Sequence, residues 1–177
     1  GAAGRDDSRV GTRIATSLFT GDPVGSQVVT GDDRAAVRFA GAWRLLSCET
    51  RDSAGQVQYP FGERPGGQLL YDGAGNMSAQ LGRTNRPRFA ARDPALGTDA
   101  EIRDAFGGYI AYFGTYSIDE SRQAVTHHVV GASFPNWVGI DLVRHYTFDE
   151  SGRLRLATPP IEVGGRSLEY VLLWERI

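Results

Sequence analysis

The feature that most constrains this chain is a repeated punctuation. Short runs of alternating apolar residues are separated by compact Asp- and Gly-containing turns: Asp52-Ser53-Ala54-Gly55, Asp72-Gly73-Ala74-Gly75, Asp119-Glu120-Ser121-Arg122 and Asp149-Glu150-Ser151-Gly152. Turns this tight join antiparallel nearest neighbours, because a parallel crossover needs a dozen residues or more. The runs they connect read as nine strands: Trp43 to Thr50, Gln56 to Tyr59, Gly67 to Tyr71, Asn76 to Leu81, Tyr109 to Ile118, Gln123 to Ala132, Trp137 to Phe148, Leu154 to Thr158 and Leu168 to Ile177. A meander of this size removes its unpaired edges by closing on itself. A two-sheet sandwich would need long crossovers that the sequence does not contain. The expected fold is therefore all-β, a closed antiparallel up-and-down barrel of eight or nine strands, with an interior that is either filled by side chains or able to hold one small ligand.

Two helical segments interrupt the pattern. DRAAVRFA, from Asp33 to Ala40, reads as a short N-terminal helix with Asp33 as its cap. Thr98-Asp99-Ala100-Glu101 is a capping box that opens a helix to Phe106, and Gly107-Gly108 ends it. Arg83 to Gly97, with Pro87 and Pro94, is a long irregular connection and a candidate cap on the barrel mouth. Residues 1–33 are too polar to form a core and read as a leader packing on the barrel or on a neighbouring copy, with residues 34–177 forming the barrel domain.

Composition excludes several chemistries. The chain has 177 residues, 41% of them hydrophobic, and a net charge of −2, which does not suit a phosphate-neutralising nucleic-acid binder. All 19 basic side chains are arginine, so lysine Schiff-base chemistry is absent. The single Cys48 forms no intrachain disulfide or cysteine zinc site, and three histidines without His-x-His or His-x-x-x-His spacing do not build a metal centre. No phosphate-binding glycine loop or nucleophile elbow occurs, so no cofactor and no metal are expected. No run is long enough to span a membrane, and without a visible signal peptide the expected compartment is the cytoplasm.

Alternation sets which side chains share a face. On the Tyr109 run, Ile110, Tyr112, Gly114, Tyr116 and Ile118 oppose Tyr109, Ala111, Phe113, Thr115 and Ser117, and both faces are apolar enough to be buried. His127 and His128 point to opposite faces, so one of them faces inward, and it is either a core histidine bonded to a tyrosine or carbonyl or a general acid–base at the cavity wall. In the Trp137 run, Trp137, Asp141 and His145 oppose Leu142, Arg144, Tyr146 and Phe148. The greasier face is expected inward, with Arg144 or Tyr146 as its polar handle. The candidate catalytic residues are His128 and Tyr116, and the candidate ligand-binding residues are Met77, Tyr112, Trp137, Arg144, His145 and Tyr146.

Gly41-Ala42-Trp43, entering the first strand after a short helix, resembles the Gly-x-Trp signature of lipocalins. Together with Tyr59-Pro60-Phe61-Gly62, Met77-Ser78-Ala79-Gln80, the Gly108 to Tyr116 run, Thr126-His127-His128-Val129, Phe134-Pro135-Asn136-Trp137-Val138-Gly139 and Thr158-Pro159-Pro160, it is similar to the bacterial and fungal lipocalin-like domain family, from Ala40 to Ile177. The resemblance implies a calycin-type barrel in which Trp43 closes one end and Arg176 packs over it. The chain differs from secreted lipocalins in having no disulfide and in ending on a strand. The expected function is binding of an apolar polyketide-, terpenoid- or lipid-like molecule in the cavity and its cofactor-free intramolecular cyclisation or isomerisation, as in secondary-metabolite biosynthesis. The alternative is a non-catalytic carrier of the same kind of ligand. The expected partners are that ligand and a second copy of the chain, with no nucleic acid and no membrane span.

Overall fold

The four Asp turns are closed by the same device. In the computed structural model, which describes residues 33–177, Asp52 Oδ1 accepts from the amides of Ala54 and Gln56 at 3.0 and 2.9 Å. Asp72 does the same with Ala74 and Asn76, and Asp149 with Ser151 and Arg153. Asp119 accepts from Arg122 N and Ser121 Oγ. Each carboxylate satisfies the amides that a tight reversal frees.

These turns link ten strands: β1 (Gly41–Asp52), β2 (Val57–Gln58), β3 (Gly66–Tyr71), β4 (Asn76–Gly82), β5 (Tyr109–Asp119), β6 (Ala124–Ala132), β7 (Asp141–Phe148), β8 (Leu154–Ala157), β9 (Ile161–Val163) and β10 (Arg166–Arg176). Sheet order is β2-β1-β3-β4-β5-β6-β7-β8-β10-β9, and β1 also pairs with β10 from Trp43↔Arg176 to Asp52↔Leu168. That seam closes eight antiparallel strands into a barrel, with β2 and β9 as short extensions at the same end. The expected barrel is the one found. The β9–β10 hairpin was not anticipated; Gly164 and Gly165, with φ of 58° and 75°, form the two-residue turn that makes it.

A second difference concerns Trp137. The sequence places it at the start of a strand, but it ends a 3₁₀ turn, Pro135–Trp137, and β7 begins only at Asp141. Pro135 presets the turn, and Gly139 N donates to Val129 O at 2.9 Å with φ of 80° at Gly139, so the chain bends before it can pair.

Helix α1 (Asp33–Phe39) plugs one end of the barrel. Phe39 is fully buried, edge-on to Tyr71, Tyr146 and Phe148 at 4.8 to 5.3 Å. Trp43 Nε1 donates to Phe39 O, and the Arg176 guanidinium lies 4.2 Å above the Trp43 ring while donating to the carbonyls of Arg38 and Ala40. Gly41 is required there: at φ of 131°, an added Cβ would lie 2.6 Å from Arg176 Nη1. The expected closure by Trp43 and Arg176 is thus present. Residues 1–32 of the leader lie outside the described residues, and α1 begins at Asp33.

Helix α2 (Asp99–Gly107) has the complete capping box, with Glu101 N donating to Thr98 Oγ1 and Thr98 N to Glu101. It buries none of its residues. The Arg83 to Gly97 segment is largely exposed and is fastened to this helix, through Arg83 to Asp104 at 2.7 Å and Ala90 N to Glu101 at 2.7 Å, rather than packed into the lumen. No helix among the described residues is long and apolar enough to cross a membrane.

Candidate functional site: a buried Tyr-His-Tyr chain in the barrel wall

Register settles which faces meet the lumen. Tyr71↔Met77, Met77↔Gly114, Tyr116↔His127 and His127↔Leu142 put Tyr71, Met77, Tyr116, His127 and Leu142 on one continuous surface, with Tyr112 two residues before Gly114 and Arg144 two residues after Leu142. On the lumen side of β3 to β6, Leu69, Tyr71, Met77, Ala79, Val125 and His127 are buried, and Ile110 and Ile118 are partly buried. Leu142 and Arg144 on the adjacent β7, and Tyr170 and Leu172 on β10, also turn inward and are partly buried.

Among these buried residues sits a polar chain. His127 Nε2 lies 2.7 Å from the Tyr71 hydroxyl and Nδ1 lies 3.1 Å from the Tyr112 hydroxyl, with His127 1% exposed. Burial, reinforced by the neighbouring Arg144 charge and by His128, holds the His127 imidazole well below its ordinary titration range, so it is neutral. Burial also pushes the Tyr71 and Tyr112 hydroxyls up, while Arg144 acts in the opposite direction on both. Arg144 donates to Val143 O at 2.9 Å and forms no ion pair with a carboxylate among the described residues.

The candidates distribute unevenly around this chain. Tyr112 is part of it, Arg144 faces it, and Met77 is buried beside Tyr71. Trp137, although off the strand, packs edge-on to Tyr112 at 5.8 Å. Tyr146 turns inward but belongs to the plugged end, stacked on Phe39 and Phe148. Tyr116 turns inward too, but its hydroxyl donates to Asp72 O at 2.9 Å and braces the β3–β4 turn. His145 is exposed on the outer face of β7.

The expectation of His128 as the inward histidine is corrected: His128 lies on the outer surface and His127 faces the lumen. His128 Nδ1 meets Asp141 at 2.7 Å and Nε2 meets Ser117 Oγ at 2.9 Å. This outer cluster has the connectivity of an acyl-transfer triad, but it stands on an exposed sheet face where backbone amides are committed to backbone carbonyls, as Tyr116 N is to Gly75 O. Nothing there gathers donors for an oxyanion.

Tyr71 and Trp174 are not among the candidates named from the sequence. The second is inward-facing on β10 and 1% exposed, and its Nε1 has no acceptor. The signal for His127 was available: Val125 and Val129 flank it on its own face, whereas Thr126 shares a face with His128. Cys48, buried opposite Leu172, has its thiol pushed up to about 12, chiefly by burial, and is inert at neutral pH. No group of three or more His, Cys, Asp or Glu side chains among the described residues is placed to hold a metal ion.

With the barrel, its plugged end and its inner polar chain in place, the comparison with known families is decisive. A profile of the lipocalin-like domain matches residues 40–177. The chain belongs to the lipocalin-like domain family. Within the curated proteins, it is 31% identical over 110 residues to the 4'-hydroxy-3'-methoxypropiophenone carrier protein ppsC of Aspergillus oryzae, an alignment covering 57% of this chain and 96% of that protein. The lipocalin-like match begins where Ala40 accepts from Arg176 and ends with β10, so it spans the whole closed barrel.

Proposed function

We propose that this lipocalin-like barrel binds a hydrophobic small molecule of polyketide, terpenoid or lipid type, with the polar end of the ligand against Tyr71, His127 and Tyr112 and its apolar body along Leu142, Tyr170 and Leu172. One observation carries this reading: a buried polar chain with a neutral histidine at its centre, on the lumen face of a largely apolar barrel and beside the partly buried Leu142 and Arg144. Burying polar groups costs free energy unless they are satisfied. The likeness to a carrier of an aryl ketone supports a carrier role.

A second reading has a specific observation behind it. A neutral imidazole hydrogen-bonded at both nitrogens to hydroxyls can take a proton at one end and release it at the other, which is what an intramolecular cyclisation or isomerisation without a cofactor asks of a protein beyond shape. In that case His127 moves the proton, and Tyr71 or Tyr112 delivers it.

The test is native mass spectrometry of the protein purified from its natural host, followed by incubation of any released ligand with fresh protein. A bound molecule recovered unchanged supports the carrier. A molecule converted by the wild type but not by His127→Gln, with Kd held within a few-fold, supports the enzyme. An empty protein that also takes up no apolar fluorophore contradicts both readings.

A further inference from the structure

Two neutral hydroxyls and one neutral imidazole carry three hydrogens, but the polar chain has only two internal hydrogen bonds. If Nε2 holds the imidazole proton, it donates to Tyr71, Tyr112 donates to Nδ1, and the Tyr71 hydrogen is left over. If Nδ1 holds it, the Tyr112 hydrogen is left over. Either tautomer leaves one hydroxyl hydrogen without an acceptor inside the chain.

Two further inward-facing groups are donors only. Arg144 turns inward with no carboxylate partner among the described residues, and Trp174 Nε1 is a buried donor without an acceptor. The carboxylates with observed partners point elsewhere: Asp141 to His128, Asp72 and Asp119 to turn amides, Glu49 to Arg51, Glu175 to Arg44, and Asp52, at the end of β1, to Arg166.

We propose that the lumen selects ligands whose polar end is an acceptor-only oxygen, a ketone, quinone, enolate or carboxylate, and rejects ligands with an ammonium end. The proposal rests on the hydrophobic-ligand reading and sharpens its chemistry. A carbonyl or oxyanion accepts the leftover hydrogen and lies within the field of Arg144. An ammonium group would be desolvated beside a guanidinium with no counter-charge.

The experiment uses N-phenyl-1-naphthylamine, a neutral fluorophore, as the reporter of lumen occupancy. Three competitors share one ring system: 2-acetonaphthone, 2-naphthoate and 2-naphthylmethylammonium. Displacement by the ketone and the carboxylate at concentrations at least about tenfold below the ammonium compound is the expected result, roughly the effect of one charge-assisted hydrogen bond. In Arg144→Met, the affinity of naphthoate relative to acetonaphthone falls several-fold. If the reporter binds but all three competitors displace it equally, the selection is overturned and the hydrophobic-ligand reading survives. If the reporter does not bind the wild type, that reading and the proposal resting on it fail together.

Discussion

His127 and His128 are consecutive residues in surroundings of opposite kind. His127 is sealed between two tyrosines in the barrel wall and held neutral; His128 stands on the outer face between Ser117 and Asp141. The two-residue period of a strand is the entire cause, because a one-residue step reverses the face. The contrast separates function from resemblance. The outer cluster has a familiar order of residues and no enclosed space, whereas the inner one has no familiar motif but does have burial, a neighbouring positive charge and an adjacent apolar surface.

The largest expected effect comes from removing each imidazole in turn. His127→Ala leaves a cavity and two buried hydroxyls short of a partner, and should cost about 3 kcal/mol or more in urea unfolding. His128→Ala should change stability by about 0.5 kcal/mol or less. Equal losses would erase the distinction.

Acid should act through His127. Its imidazole stays neutral in the folded barrel while in the unfolded chain it protonates near its ordinary value of 6.5, so below that pH the unfolded state binds the extra proton. Stability contributed by the neutral histidine is therefore full above about pH 7 and falls as pH drops through 6.5, by up to about 1.4 kcal/mol per unit. The groups facing it are Tyr71, Tyr112 and Arg144, and of these Arg144 opposes protonation. In His127→Phe this component of the acid slope disappears, and in His128→Ala it remains; thermal unfolding between pH 5 and 8 reads the difference.

Binding gives a smaller contrast. Tyr71→Phe or Tyr112→Phe removes one hydroxyl of the chain and should weaken 2-acetonaphthone about 5- to 30-fold in the displacement assay, the equivalent of about 1–2 kcal/mol. The smallest expected effect is that of Ser117→Ala and Asp141→Asn: ligand affinity unchanged within twofold, and stability altered by no more than about 1 kcal/mol, as for an exposed pair.

What the sequence made legible follows from how local the determining physics is. The Asp turns, the Thr98 capping box and the Gly107-Gly108 stop are decided within a few residues, and the meander they impose leaves closure as the way to satisfy its edges. The site was harder to read because a face is decided by neighbours far along the chain. Tyr112 and Tyr116 share a face by alternation, yet only the pairing Tyr116↔His127 says which histidine joins them. Gly114 shows how tightly that pairing is fixed: at the β5–β6 irregularity its Cα passes so close to His128 O that no side chain fits. Arg144 was readable as the polar handle of a greasy face, whereas Trp137 was misplaced because Pro135 and Gly139 act before the strand begins.

The most direct test of the central claim, that His127 is the neutral polar anchor of the lumen, is long-range ¹H–¹⁵N correlation of the histidine rings at about pH 5.5, with and without 2-acetonaphthone. The account predicts one protonated and one bare ring nitrogen on His127 at that pH, with both signals moved by the ketone while those of His128 stay in place. A doubly protonated His127, or a ketone that perturbs His128 and leaves His127 unmoved, would contradict it.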